Sequence, residues 1–209
     1  MTLIACLSVY NEEKMIRGAL ESIRDAAGRI VVVDGAYDGF PLVNGERRST
    51  DRTLSIAAEF GAEVIGWYGD KGTDTPLQEE KRNQYFIGGE GDWYLIIDAD
   101  ERLKGRIDRR LLNRRGAHAY TLSVSDPVFP LSSNWVRLVK HSPDLHYEGA
   151  HNALFREGVL LRANSIPCMR MASIAHEVRG DPDRAEAAGS YYLRQIDHER
   201  DFRVRHEYP

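Results

Sequence analysis

Cysteine is scarce in this chain: Cys6 and Cys168 are the only two among 209 residues. Two cannot build a disulfide framework, and their separation fits no metal motif. Both sit in apolar surroundings, so both are expected in the core as free thiols. Long hydrophobic runs are missing too. The first apolar run ends at Val9, far short of the ~20 residues that a spanning helix needs. It has no positive leader, and Asn11-Glu12-Glu13-Lys14 follows it where a cleavage site would stand. A cytosolic or membrane-peripheral protein is expected. Neither charge dominates: 28 Lys and Arg face 32 Asp and Glu, a formal −4. That argues against binding nucleic acid through the whole surface, though not against a local basic patch. No repeat and no Gly/Ser- or Pro-rich linker divides the chain, so one domain over residues 1–209 is expected. What is present, 42 % apolar and 29 % charged residues, is an ordinary globular composition and excludes collagen-like or disordered readings.

The first hundred residues alternate between two periods. Residues 2–9 are apolar without a face pattern, as in a strand buried on both sides. Over residues 12–27, Met15, Ile16, Ala19, Leu20, Ile23 and Ala27 form one helical stripe, and Gly28 ends it. Residues 30–33 read as a second buried strand. Residues 53–60 read as a helix, 62–67 as a strand, 77–87 as a helix and 93–97 as a fourth strand. This β-α-β-α-β-α-β order predicts an α/β fold with a mostly parallel sheet flanked by helices. After residue 101 a basic, helix-like stretch over 103–115 precedes β-like runs at 117–124, 135–140, 152–155 and 159–162. A terminal helix is expected over 183–200. The second half thus reads as a smaller mixed β region.

In open α/β sheets, ligands bind outside the carboxyl ends of the strands. The first strand here delivers Ser8, Tyr10, Asn11 and Glu12; the second delivers Asp34 and Asp38; the fourth delivers Asp98, Asp100 and Glu101. Singly, each has a bland reading, as a helix start or a turn. Jointly they predict a site. Asp98-x-Asp100 is the tightest cluster, and hard oxygen ligands of this kind suit Mg²⁺ or Mn²⁺ together with phosphate oxygens.

These residues resemble family 2 glycosyltransferases of the GT-A fold. The resemblance lies in Leu7-Ser8-Val9-Tyr10-Asn11-Glu12-Glu13, Ile30-Val31-Val32-Val33-Asp34-Gly35, Ser49-Thr50-Asp51-Arg52-Thr53, Glu80-Lys81-Arg82-Asn83 and the run from Gly91 to Glu101. The last is similar to the branch typified by lipopolysaccharide-core glucosyltransferases. The resemblance implies an inverting transfer of a sugar from a nucleotide-sugar donor, a UDP-sugar being favoured, with Mn²⁺ or Mg²⁺. It implies that Ser8, Tyr10, Asn11, Asp34, Arg82 and Asp98 contact the donor nucleotide and that Asp98 and Asp100 serve the metal. Residues 1–101 would be the donor and metal half, and 102–209 the acceptor half. With so short a chain, the acceptor would be recognised by residues 41–48, by those after 101, or by a partner subunit. Residues 41–48 are extra relative to the family pattern, either a contact at the site rim or a tolerated surface insertion. They leave Asp38 and Asp51 as alternatives for one family role.

The family's Tyr-x-Gly-x-x-His-Glu element resembles Tyr147-Glu148-Gly149-Ala150-His151-Asn152, one residue shorter between Gly and His and with Asn where the base should be. Glu148 and His151 are the leading base candidates, with Asp126 and Glu177 behind them. Ile174-Ala175-His176-Glu177 resembles the later strand-plus-His element, which implies His176 as a further metal ligand. Seven basic residues between Glu101 and Arg115 suit either a solvated helix face or an anionic acceptor. The acceptor itself (saccharide, lipid-linked glycan, protein or modified nucleic acid) is not readable. A non-catalytic nucleotide- or glycan-binding module is the alternative. A phosphotransferase using Asp98 and Asp100 is less favoured, because Arg102 stands where that chemistry expects a small or hydroxyl residue.

Overall fold

The computed structural model describes residues 1–37, 41–69, 77–87, 91–125, 133–149 and 153–177. Within them the strands are β1 (Leu3–Val9), β2 (Arg29–Asp34), β3 (Glu63–Gly66), β4 (Trp93–Ile96), β5 (Glu101–Gly105), β6 (Ala119–Ser125), β7 (Ser133–Lys140), β8 (His146–Glu148), β9 (Ala153–Arg156), β10 (Val159–Leu160) and β11 (Cys168–His176). The helices are α1 (Ile16–Ile23), α2 (Thr53–Glu59), α3 (Gln78–Asn83) and α4 (Arg109–Leu112). No described helix is long and apolar enough to cross a membrane.

One eight-stranded sheet runs β3-β2-β1-β4-β7-β6-β11-β5, beside a small antiparallel sheet β10-β9-β8. The β1–β2, β1–β4, β2–β3 and β6–β11 pairs are parallel; β7 and β5 run against their neighbours. All the other strands of the large sheet therefore point the same way, and their carboxyl ends share one rim. This is the expected mostly parallel sheet flanked by helices, with a smaller β region in the second half.

The unpatterned apolar runs are explained by burial on both faces. Leu3, Ala5, Leu7 and Val9 pack against Ile16, Ala19, Leu20 and Ile23 of α1. Ile4 and Cys6 face the other way, with Val31, Val33, Tyr85, Tyr94 and Ile96. An eight-residue helix does not hold itself together in water. Docking Ile16, Leu20 and Ile23, at about 1.5–3 kcal/mol each when fully buried, with Ala19 between them, is what stabilises α1.

Several expectations need correction. Regular helix α1 spans Ile16–Ile23 rather than residues 12–27. Before it comes a turn in which the Glu12 carbonyl accepts from the Met15 and Ile16 amides, both at 2.9 Å, and Thr53 Oγ1 (2.6 Å) and Asp51 Oδ2 (3.0 Å) accept from the Glu12 and Glu13 amides. The stretch 103–115 is not one helix. Its start belongs to β5, paired with β11, and only the single turn of α4 follows. Arg102, counted with that basic stretch, is buried under α1 and donates to the carbonyls of Met15, Ala99 and Glu101 and to Glu177. Cys6 is a core thiol, but Cys168 is exposed. It starts β11 on the solvent side, next to inward-facing Met169, and a register shift separates it from Ser173. The expected helix over 183–200 lies outside the described residues.

One connection shapes the site. β4 and β5 are fourth and eighth in the sheet, yet only residues 97–100 join them. Four strand spacings on a flat sheet would be about 19 Å. The link is folded into a turn, with the Glu101 amide donating to the Asp98 carbonyl at 3.0 Å, so it cannot span that distance. The sheet curls, and Asp98-Ala99-Asp100 crosses the strand ends of β6 and β11.

Candidate functional site

The crossing link carries the charged centre. Asp98 accepts from Arg82 Nη2 at 2.8 Å, and Arg137 Nη1 stands 3.7 Å from its other oxygen. Arg137 also donates to the buried carboxylate of Glu101, whose other oxygen accepts from the Asp98 amide at 2.8 Å. Burial pushes the Glu101 carboxyl above its ordinary value, against the pull of Arg137. Two arginines thus face Asp98 and Glu101, and neither guanidinium's Nε has a hydrogen-bond partner among the described residues. Asp98 keeps 28 % of its side-chain surface open to the rim.

Asp100 is buried, and its Oδ2 lies 3.2 Å from Nε2 of His176, which is 37 % exposed. The pairing of β11 with β5 sets His176 opposite Glu101, and the Glu177 amide donates to the Asp100 carbonyl at 2.7 Å. The 3.2 Å spacing of Asp100 and His176 is that of a hydrogen-bonded or ion-paired Asp–His couple. Arg82 and Arg137 sit against Asp98 and Glu101, and the Asp100 carboxylate adds a further negative charge beside the imidazole. Among the described residues no group of three or more His, Cys, Asp or Glu side chains is gathered closely enough to hold a metal ion.

The β1 and β2 ends are locked together through paired motifs. Asp34, fully buried, accepts from Ser49 Oγ (2.5 Å), the Ser49 amide (3.2 Å) and Tyr68 OH (3.1 Å). Burial and the Asp34 charge push the Tyr68 hydroxyl up to about 12. Asn11, at φ 51°, accepts from the Thr50 and Asp51 amides, and its own amide donates to Ser49 Oγ. Glu13 accepts from the Arg52 amide. Asn11-Glu12-Glu13 and Ser49-Thr50-Asp51-Arg52-Thr53 are therefore two halves of one lock. Ser8 is half-buried opposite Val33. Tyr10 is 3 % exposed; its hydroxyl donates to the Glu46 carbonyl (2.7 Å) and accepts from the Val43 amide (2.8 Å). It thereby pins the extra segment 41–48, which turns at Asn44-Gly45 with both φ positive, as a two-residue hairpin turn requires.

Helix α3 braces the rim with three consecutive residues. Lys81 is fully buried, and its Nζ donates to the carbonyls of Val9 (2.7 Å) and Gly35 (2.5 Å). Its ammonium sits 5.5 Å from the Tyr37 ring. Burial pulls it down to about 7, with Asp34 pulling the other way. Arg82 holds Asp98. Asn83 makes both bonds to the Tyr147 backbone, 2.6 and 3.0 Å, and so anchors β8. Gly35 has to be glycine: at φ 146° a Cβ would lie 2.1 Å from the Trp67 carbonyl oxygen.

On β8 the Tyr147 side chain is buried, 6.0 Å from the Arg82 guanidinium. Glu148 points with His146, 3.9 Å away, to the exposed side. Glu177 pairs with Arg102 at 2.6 Å. His151, Asp126 and Asp38 lie outside the described residues.

No protein-family model matches this chain. Over 179 residues it is 26 % identical to a TPR repeat-containing protein of Synechococcus elongatus, covering 80 % of this chain and 39 % of that one. Over 101 residues it is 32 % identical to an uncharacterized glycosyltransferase of Rickettsia bellii, covering 47 % of this chain and 28 % of that one. The chain therefore spans well under half the length of both relatives. Among solved structures, Staphylococcus aureus TarS overlaps 61 % of this chain and 22 % of its own, at 19 % identity and a TM-score of 0.47. Glucosyl-3-phosphoglycerate synthase of Mycobacterium tuberculosis, in a complex with Mn²⁺ and UDP, overlaps 60 % and 43 %, at 20 % identity and a TM-score of 0.40.

Three site residues escaped sequence reasoning: Lys81, Glu101 as a buried acid, and Arg137. Arg137 carried a signal, since it alternates with apolar Val136 and Leu138 in a β-like run. Lys81, between Glu80 and Arg82, looks like any solvated helix face and carried none.

Proposed function

We propose that this chain transfers a sugar from a nucleotide-sugar donor to an acceptor hydroxyl with the aid of Mn²⁺ or Mg²⁺. The observation that carries the reading is the 3.2 Å approach of Asp100 to His176 at the rim where the parallel strands end. The ordered family 2 motifs and the partial relative named a glycosyltransferase support it. Asp100 and His176, with Asp98 beside them, would hold the cation. When bound, that cation would neutralise the diphosphate of the leaving nucleotide.

The chain's own residues do the rest. Ser8 and Asn11 would face the nucleoside at the ends of β1 and β2, with buried Asp34 acting through Ser49 and buried Tyr10 through the 41–48 turn. A UDP-sugar is the favoured donor. Arg82 and Arg137 fix the Asp98 carboxylate, so that it meets donor hydroxyls in one orientation. Transfer breaks the bond from the anomeric carbon to the diphosphate oxygen and forms one to the acceptor oxygen. The acceptor proton passes to a base, Glu148 or His151, and the family resemblance assigns inversion at the anomeric carbon. In this reading residues 1–101 are the donor half and 102–209 the acceptor half.

The test is nucleotide release from UDP-, GDP-, dTDP- and CMP-sugars, with and without Mn²⁺. Metal-dependent release is expected with one donor class, and Asp100→Ala should lower it by roughly a hundredfold or more. Unchanged release in Asp100→Ala refutes the metal role. Nucleotide binding without release from any donor refutes catalysis and leaves a binding module.

A further inference from the structure

Trp135 is the one aromatic among the exposed large hydrophobics of the described residues, at 54 % exposure. The others, such as Ile87 and Val159, are aliphatic. Its position is not that of a random surface residue. Trp135 precedes the part of β7 that pairs with β4, on the far side of a register shift at Arg137. Arg137 lies on the same side of β7, two residues along, with its guanidinium 5.7 Å from the centre of the indole. That same guanidinium holds Glu101 and approaches Asp98. The indole Nε1 donates to Ser133 Oγ at 2.5 Å. The ring is thus fixed by a cation on one face and a hydrogen bond at its edge, while much of its surface stays open to water.

We propose that Trp135 is the platform on which a pyranose ring of the acceptor stacks, so that the acceptor of this chain is a saccharide. The inference rests on the sugar-transfer reading above. Four points carry it. β1 and β7 flank β4 on opposite sides, so Trp135 faces the charged centre from the side away from the expected nucleoside. A pyranose presents a face of C–H groups with hydroxyls at its rim, and a flat indole with open edges complements that shape. Holding the ring in place beforehand lowers the ordering cost of binding. Arg82 and Arg137 offset most of the charge on Asp98 and Glu101, so the centre presents no large charge of either sign, and an uncharged ring is the occupant it fits.

Saturation-transfer NMR on the full chain with Mg²⁺ and UDP tests this. The probes are the methyl glycosides of glucose, galactose, mannose, N-acetylglucosamine and rhamnose. Saturation of ring C–H protons is expected for at least one glycoside. Affinity should fall about five- to tenfold in Trp135→Ala and largely persist in Trp135→Phe. An unchanged signal in Trp135→Ala overturns the proposal, as does the absence of every glycoside signal in a protein that binds UDP. UDP titration on the same samples separates the two readings: wild-type protein that binds no nucleotide refutes the sugar-transfer function itself.

Discussion

Replacing Lys81 by Met is the sharpest probe of the rim. Met fills similar space but cannot donate to the Val9 and Gly35 carbonyls. Two buried acceptors without a donor cost about 1–3 kcal/mol each. Against that, the variant no longer buries a charge. A fall from 10.5 to about 7 corresponds to about 5 kcal/mol of burial cost when the amine is protonated. The two effects nearly cancel at neutral pH, so stability there decides nothing, and its pH dependence does. Between about 7 and 10 the unfolded chain carries the lysine proton and the folded chain sheds it. The unfolded state then binds more protons, so stability rises with pH. Below about 7 both states are protonated and the slope vanishes. Urea unfolding of both proteins from pH 6 to 10 should show the wild type gaining on Lys81→Met by up to about 1.4 kcal/mol per pH unit above 7. Histidine and carboxylate titrations are common to both and cancel in the difference. Parallel stability curves over that range would refute the reasoning, because they would mean that Lys81 titrates at its ordinary value or above it, the carbonyl bonds then holding the ammonium at least as strongly as burial expels it.

Other perturbations follow from single contacts. In Gly18→Ala the new Cβ would lie 2.4 Å from Arg102 Nε; displacing a guanidinium tied to three carbonyls should cost about 1–3 kcal/mol in urea unfolding, and an unchanged midpoint would show that Arg102 relocates freely. Tyr10→Phe removes the hydroxyl that pins Val43 and Glu46, so limited proteolysis within residues 41–48 should accelerate while global stability falls by about 1–2 kcal/mol; an unchanged cleavage rate would show that the turn holds itself.

The sheet was legible because its strands are buried on both faces. Within residues 3–9, 30–33 and 93–96 only Ser8 interrupts the apolar and aromatic runs, and the stripe of α1 had one docking surface. β5 was not legible. Glu101, Arg102 and Lys104 are polar, and what makes them a strand is pairing with β11, some seventy residues away. The lock between Asn11-Glu12-Glu13 and Ser49–Thr53 is also non-local. Each motif could be seen, yet not that the amides of one are satisfied by the side chains of the other. Asp98 and Asp100 could be picked out from residue type and a strand end, whereas His176 could be reached only through the family resemblance, because the residue pattern predicts no strand where β11 runs. Arg137 and Lys81 could not be picked out, because their chemistry depends on which carboxylate or carbonyl the fold carries to them.

The β4–β7 pairing bears on how the chain can be divided. A fragment ending near residue 101 would keep Asp98, Asp100 and the lock between Asn11-Glu12-Glu13 and Ser49–Thr53. It would also strip β7 from β4, leaving a bare strand edge beside Trp93 and Tyr94, which invites aggregation. It would remove β11 as well, and with it the imidazole beside Asp100. Residues 1–101 are therefore not a self-contained folding unit: the sheet they begin is closed by β7 and β11.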